Sequence, residues 1–166
     1  QPIQATFIGD NSLSNRPMNR ITEPLKMMGA QITARDTGKL PVTVKGATNI
    51  IPIEYQLPVA SAQVKSAIML AGLGGCGQTT VIEPVPTRDH TENMLRHFGL
   101  TVKIEDQKDG AQRISLSGQR DLKGTQINVP SDPSSAAFPM VAALINPGSK
   151  ITLTNILMNK RRIGLF

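Results

Sequence analysis

Ala60-Ser61-Ala62-Gln63-Val64-Lys65-Ser66-Ala67-Ile68-Met69-Leu70-Ala71 is matched in pattern, about 72 positions later, by Asp132-Pro133-Ser134-Ser135-Ala136-Ala137-Phe138-Pro139-Met140-Val141-Ala142-Ala143. Each segment follows a proline-marked strand end, Leu57-Pro58 or Val129-Pro130. Each leads through a glycine turn, at Gly77 or Gly148, into a β-branched run at 79–82 or 150–153, and a further run at 5–8 sits one period earlier. A fixed period of this kind decides the fold, because it makes one structural unit recur along the chain.

Working outward, the runs at 5–8 and 79–82 each precede a polar loop with an arginine and a shorter helix. Arg16-Pro17-Met18 opens the first helix, which carries Ile21, Leu25 and Met28 on one face and stops at Gly29. Arg88-Asp89-His90 opens the second, which carries Thr91, Met94, Leu95 and Phe98 on one face and stops at Gly99. Two strands follow each, 31–34 and 41–45 in the first case and 101–105 and 112–117 in the second, with turns at 35–40 and 106–111. The helix from Ser61 has Lys65 as its only charge, and the helix over 134–145 has none, so both are expected to be buried. Pro139 inside the latter predicts a kink or a late start. The fold class is therefore α/β: repeated βαβαββ units with buried helices surrounded by mixed sheets, incomplete within this chain.

Composition narrows the function. The 166 residues, 39% hydrophobic, suit one globular domain or one and a fraction. A formal charge of +6 favours anionic partners, but one Tyr, four Phe and no Trp give few platforms on which bases could stack. Small phosphorylated or carboxylated metabolites are thus preferred over nucleic acid. No apolar run is long enough to span a bilayer, and the single Cys76 gives no internal disulfide, which fits a cytoplasmic setting. The chain begins with Gln1 and reaches Phe166 just after 159–165, which reads as a helix beginning; it is expected to be a segment of a longer protein.

Several motifs have plain readings. Gly72-Leu73-Gly74-Gly75-Cys76-Gly77 satisfies the dinucleotide pattern, but it follows a helix and precedes a strand, the reverse of that fingerprint's context, so it reads as a helix stop and turn. Asp89, His90 and Glu92 do not share a helix face and make a poor metal set. Cys76 reads as structural, and Lys160-Arg161-Arg162 as a solvated helix start. Arg16 offers a planar fork for carboxylate or phosphate, although taken alone a solvated loop arginine is the better reading. Ser61-Ala62-Gln63 begins a buried helix, where a simple N-cap and an anion site are equally good readings. Arg88 stands near a helix start, where the dipole opposes a cation and some other role is wanted.

Four segments carry a specific resemblance: 9–18 (Gly9-Asp10-Asn11-Ser12-Leu13-Ser14-Asn15-Arg16-Pro17-Met18), 58–67 (Pro58-Val59-Ala60-Ser61-Ala62-Gln63-Val64-Lys65-Ser66-Ala67), 87–92 (Thr87-Arg88-Asp89-His90-Thr91-Glu92) and 129–138 (Val129-Pro130-Ser131-Asp132-Pro133-Ser134-Ser135-Ala136-Ala137-Phe138). In order and spacing they resemble the enolpyruvyl transferases, and among these the 5-enolpyruvylshikimate-3-phosphate (EPSP) synthases of the class II bacterial type. Ser131 departs from the family's usual glycine and would carry strain if a positive φ were required there.

The resemblance implies two domains of three such units each, with residues 1–128 in the first and 129–166 beginning the second. It implies that Ser61, the Ala62 N–H, Gln63 and Arg88 bind shikimate 3-phosphate, and that Arg16 and Gln63 bind phosphoenolpyruvate. It also implies no metal or organic cofactor, a monomeric parent, and catalytic Asp, Lys-Glu and Arg motifs in flanks that this chain does not include, so that the segment alone is inactive. Two alternatives stand beside it: the sister transferase acting on UDP-N-acetylglucosamine, and a basic α/β module binding RNA.

Overall fold

A computed structural model describes residues 2–164. The chain runs from strand β1 (Gln4–Phe7) through a one-turn helix α1 (Asn11–Ser14) and helix α2 (Asn19–Met27) into the hairpin β2 (Gln31–Ala34) and β3 (Val42–Lys45). There follow β4 (Glu54–Gln56), helix α3 (Ala62–Gly72), β5 (Gln78–Glu83), helix α4 (His90–His97), β6 (Val102–Asp106) and β7 (Gln112–Ser117). Helix α5 (Pro133–Leu144) completes the order. The stretch β4-α3-β5-α4-β6-β7 is one whole βαβαββ unit, and β1-α2-β2-β3 is the latter part of another.

The sheets repeat as the chain does. One has the order β4-β5-β7-β6 and the other β1-β3-β2, so the last three strands of each unit are arranged alike. In the first, β4 and β5 are parallel, with α3 as their crossover, and the remaining pairs are antiparallel. The second sheet is antiparallel throughout. Helices α2 and α4 end as predicted, at Gly29 and Gly99, whose φ angles of 98° and 88° are open to glycine. In both, the following residue reaches back to close the turn: Ala30 N–H to Leu25 O and Leu100 N–H to Leu95 O, each at 3.0 Å.

The core lies between the four-stranded sheet and its helices. Register places Val81 opposite Ile114 and Ile114 opposite Ile104, with Thr79, Leu116 and Val102 one step along. Against this face α3 packs Val64, Ile68 and Met69, while α4 packs Leu95 and α2 contributes Ile21 and Leu25. Each such side chain, fully buried, contributes about 1.5–3 kcal/mol. The turn 72–77 is indeed the stop between α3 and β5, and Gly118 N–H donates to Gly77 O at 3.0 Å beside it.

The described chain forms two compact units, one ending at Lys123 and one starting at Gly124. Several expectations for the second are not met. Helix α5 is not enclosed: it buries Pro133 and Ala136, whereas Phe138 is 80% and Leu144 76% exposed. The reason lies in the partner elements, because 150–153 forms no strand and the described residues of this unit contain only the parallel bridge Ser131↔Ile156. The helix is continuous from Pro133 through Pro139, with the Asp132 side chain accepting from Ser134 N–H at 3.1 Å, so the late start is not taken. At the predicted helix beginning, Lys160-Arg161-Arg162 form a turn; Leu165 and Phe166 lie outside the described residues. Ser131 has no positive φ, which falls instead on Gln119 and Asn155. In the first unit, Cys76 is exposed in its turn.

Candidate functional site

The site begins at the amino end of α3. Ser61 is extended and its hydroxyl accepts from Val64 N–H at 3.4 Å, so the sequence Ser-Ala-Gln leaves the first helical N–H groups without intrahelical acceptors. These donors, at the positive end of the helix dipole, favour an anion. Beside them lies a cleft of about 200 Å³ lined by Ala62, Gln63, Ser66, Arg88, His90 and Thr91. The structure thus brings Ala62, Gln63 and Arg88 to one opening, with Ser61 next to it in sequence. Among the described residues the Arg88 guanidinium has no hydrogen bond or ion pair.

Arg16 stands elsewhere in the local structure. It follows the C-cap of α1, its backbone N–H donates to Leu13 O at 3.0 Å, its side chain is exposed, and it does not line the cleft. The residue that reaches the site from this region is Arg20, the second residue of α2, whose Nη2 donates to Gln63 Oε1 at 3.2 Å. Sequence reading missed Arg20. Nothing in the sequence of one helix says what the next helix places opposite it.

Behind the cleft is a buried ionic cluster. Strand alternation that sends Val81 into the core sends Glu83 to the same face, and helical spacing places Lys65 with Ile68 and Glu92 with Leu95. Lys65 Nζ lies 2.9 Å from Glu83 Oε2 and 2.6 Å from Glu92 Oε1, all three side chains fully buried. The first contact is a well-formed hydrogen bond; the second is an ion contact whose angles fall short of one, and Glu92 Oε2 has no partner among the described residues. Glu83 also accepts from the Thr87 hydroxyl and, at 3.4 Å, from the Thr87 N–H. A second link joins the helices: Ser66 and Thr91 hydroxyls are 2.6 Å apart, and Ser66 also bonds Ala62 O at 2.7 Å. Sequence reading noted the charge on Lys65 but not its partners. Glu92, weighed beside Asp89 and His90 for a metal, instead turns into the core. Among the described residues no helix is long and apolar enough to cross a membrane.

Comparison with known proteins places this geometry. The family model of EPSP synthase (3-phosphoshikimate 1-carboxyvinyltransferase) matches residues 1–166. A 3-phosphoshikimate 1-carboxyvinyltransferase of Parvibaculum lavamentivorans is 59% identical over 165 residues, which are 99% of this chain and 37% of that protein. The corresponding protein of Rhizobium johnstonii is 57% identical over 161 residues, 97% of this chain and 36% of that one. An EPSP synthase structure from Acinetobacter baumannii superposes with a TM-score of 0.81 at 51% identity, covering 96% of this chain and 35% of its own. The chain spans little more than a third of the length of these relatives. The repeated βαβαββ fold, the Ser61-Ala62-Gln63 helix start facing Arg88, and a match along the whole sequence lead to one conclusion: the chain belongs to the EPSP synthase family.

Proposed function

We propose that this chain is the part of an EPSP synthase that holds the phosphate of shikimate 3-phosphate. The parent reaction transfers the enolpyruvyl group of phosphoenolpyruvate to the 5-hydroxyl of shikimate 3-phosphate and releases phosphate. Addition and elimination at an enol ether need two anions held together, and a proton donor and acceptor at the reacting carbon. Ser61, the Ala62 N–H and Arg88 bind the phosphate of shikimate 3-phosphate, Gln63 contacts its ring between the two substrates, and Arg16 with Gln63 bind phosphoenolpyruvate. The proton-transfer groups are supplied by other parts of the enzyme, so the segment alone does not turn over. Residues 1–128 belong to one domain of the enzyme and 129–166 begin the other, and the enzyme is a cytoplasmic monomer.

One observation carries this reading: the cleft lined by both Arg88 and the first turn of α3, in which the guanidinium has no partner among the described residues. A cation and helix N–H donors converging on a small opening fit a phosphate. The test is titration of the chain with shikimate 3-phosphate and with shikimate, followed by amide chemical shifts. Tighter binding of the phosphorylated ligand is expected, with Arg88→Ala removing most of the preference and Arg16→Ala leaving it nearly intact. Charge-assisted bonds contribute about 1.5–3 kcal/mol each, so the Arg88 effect is tenfold or more, in round terms about 10–100-fold. Equal responses to both ligands in the folded wild type overturn the assignment.

A further inference from the structure

Arg88 sits in the segment 84–89 between β5 and α4, which contains Pro84 and Pro86 and so has two fewer backbone donors with which to fix itself. With no side-chain partner of its own among the described residues, its guanidinium is placed by the backbone that carries it. The neighbouring residue, Thr87, is gripped twice by Glu83, through its hydroxyl and its N–H. Glu83 is held in turn by Lys65 of α3, which also contacts Glu92 of α4. Every element that lines the cleft is thereby tied to one buried cluster.

Such a cluster is an expensive way to hold helices together. Apolar side chains of similar volume commonly pack as stably as a buried ionic group, or more so. They could not, however, grip a hydroxyl and an N–H of a loop. We propose that Thr87 is a positioning residue for Arg88: anchored on the carboxylate of Glu83, which Lys65 clamps from the other side, it sets where the guanidinium stands in the cleft. The inference rests on the anion-binding reading of that cleft, and adds a residue that does not line it.

The experiment compares Thr87→Val, which keeps the shape and removes the hydroxyl, with Thr87→Ser, which keeps the hydroxyl, each alone and on an Arg88→Ala background. The probes are shikimate 3-phosphate and shikimate, and folding is checked by amide chemical-shift dispersion. Thr87→Val is expected to lower the preference for the phosphorylated ligand by about tenfold, the worth of one bond to a charged group, without changing the affinity for shikimate. Thr87→Ser restores the preference, and on the Arg88→Ala background Thr87→Val changes it no further, because the effect passes through Arg88. Should Thr87→Val not fold, Glu83→Gln weakens the same bond in a side chain of the same shape and is expected to act in the same sense. A wild type without phosphate preference overturns the cleft reading and this inference with it. A wild type that prefers the phosphate, and loses the preference in Arg88→Ala but not in folded Thr87→Val or Glu83→Gln, overturns the positioning role alone. So does an equal loss on both backgrounds.

Discussion

Replacing Lys65 by methionine removes the one cation between two fully buried carboxylates while keeping most of the side-chain volume. Glu83 still accepts from Thr87, but Glu92 loses its one ion-pair partner among the described residues, where its Oε2 already lacks a hydrogen bond. Breaking a buried pair from one side costs about 3–5 kcal/mol, because a charge is left where water cannot reach it. Against a total stability of about 5–15 kcal/mol, that is a large share. Tyr55, the only tyrosine in a chain without tryptophan, packs on the core of the first unit and reports its unfolding by fluorescence. In urea, with a slope of about 1–3 kcal/mol per molar, the midpoint of Lys65→Met should fall by roughly 2 M. The double variant Lys65→Met with Glu92→Met removes one of the two stranded acids, leaving Glu83, which Thr87 still bonds, and should regain at least about 2 kcal/mol. A Lys65→Met loss below about 1 kcal/mol, or a double variant less stable than the single one, would refute the reasoning.

Three further outcomes are expected. Arg20→Met should weaken binding of both shikimate 3-phosphate and phosphoenolpyruvate by up to about fivefold, since it releases Gln63 from an exposed bond worth about 1 kcal/mol; calorimetry showing no change in either would discount that bond. The Ser134 N–H, and then Arg162, hold the Asp132 carboxyl below its ordinary pKa, so its stabilisation of α5 is complete above about pH 4 and is lost as pH falls through the lowered value. Amide exchange in the first turn of α5 should accelerate over that range and lose this dependence in Asp132→Asn. Gly118→Ala should cost about 1–3 kcal/mol, because the added carbon would overlap the carbonyl oxygens of Gly72 and Gly75; a thermal midpoint equal to wild type would contradict the close approach.

Much of this architecture is legible in local pattern. Gly29 and Gly99 end their helices because only the left-handed turn closes them, and that requirement is written in single residues. The strands 31–34 and 112–117 are legible for a similar reason, since each carries its own alternation and turn. Helix α5 shows where pattern stops. An apolar circumference says that Phe138 and Leu144 seek cover, but cover comes from other elements, and the described second unit does not provide it. The run 150–153 likewise has the residues of a strand without a neighbour to pair with. At the candidate site, Ser61-Ala62-Gln63 read equally well as a plain N-cap, and the family resemblance, not the local chemistry, singled them out together with Arg88. Lys65, Glu83 and Glu92 were not singled out, because a charge reads as surface until the fold brings its opposite within 3 Å.

The buried cluster also constrains how this sequence can change. One period on from Lys65, Glu83 and Glu92, the chain has Ala137, Asn155 and Gly164, so the second copy of the unit does without all three charges. Had both copies begun with these charges, they could not have been lost in just any order. Losing the lysine first strands two acids, whereas losing Glu92 first leaves a balanced pair. The viable route between the two states is therefore narrow and directional: an acid must go before the lysine can follow.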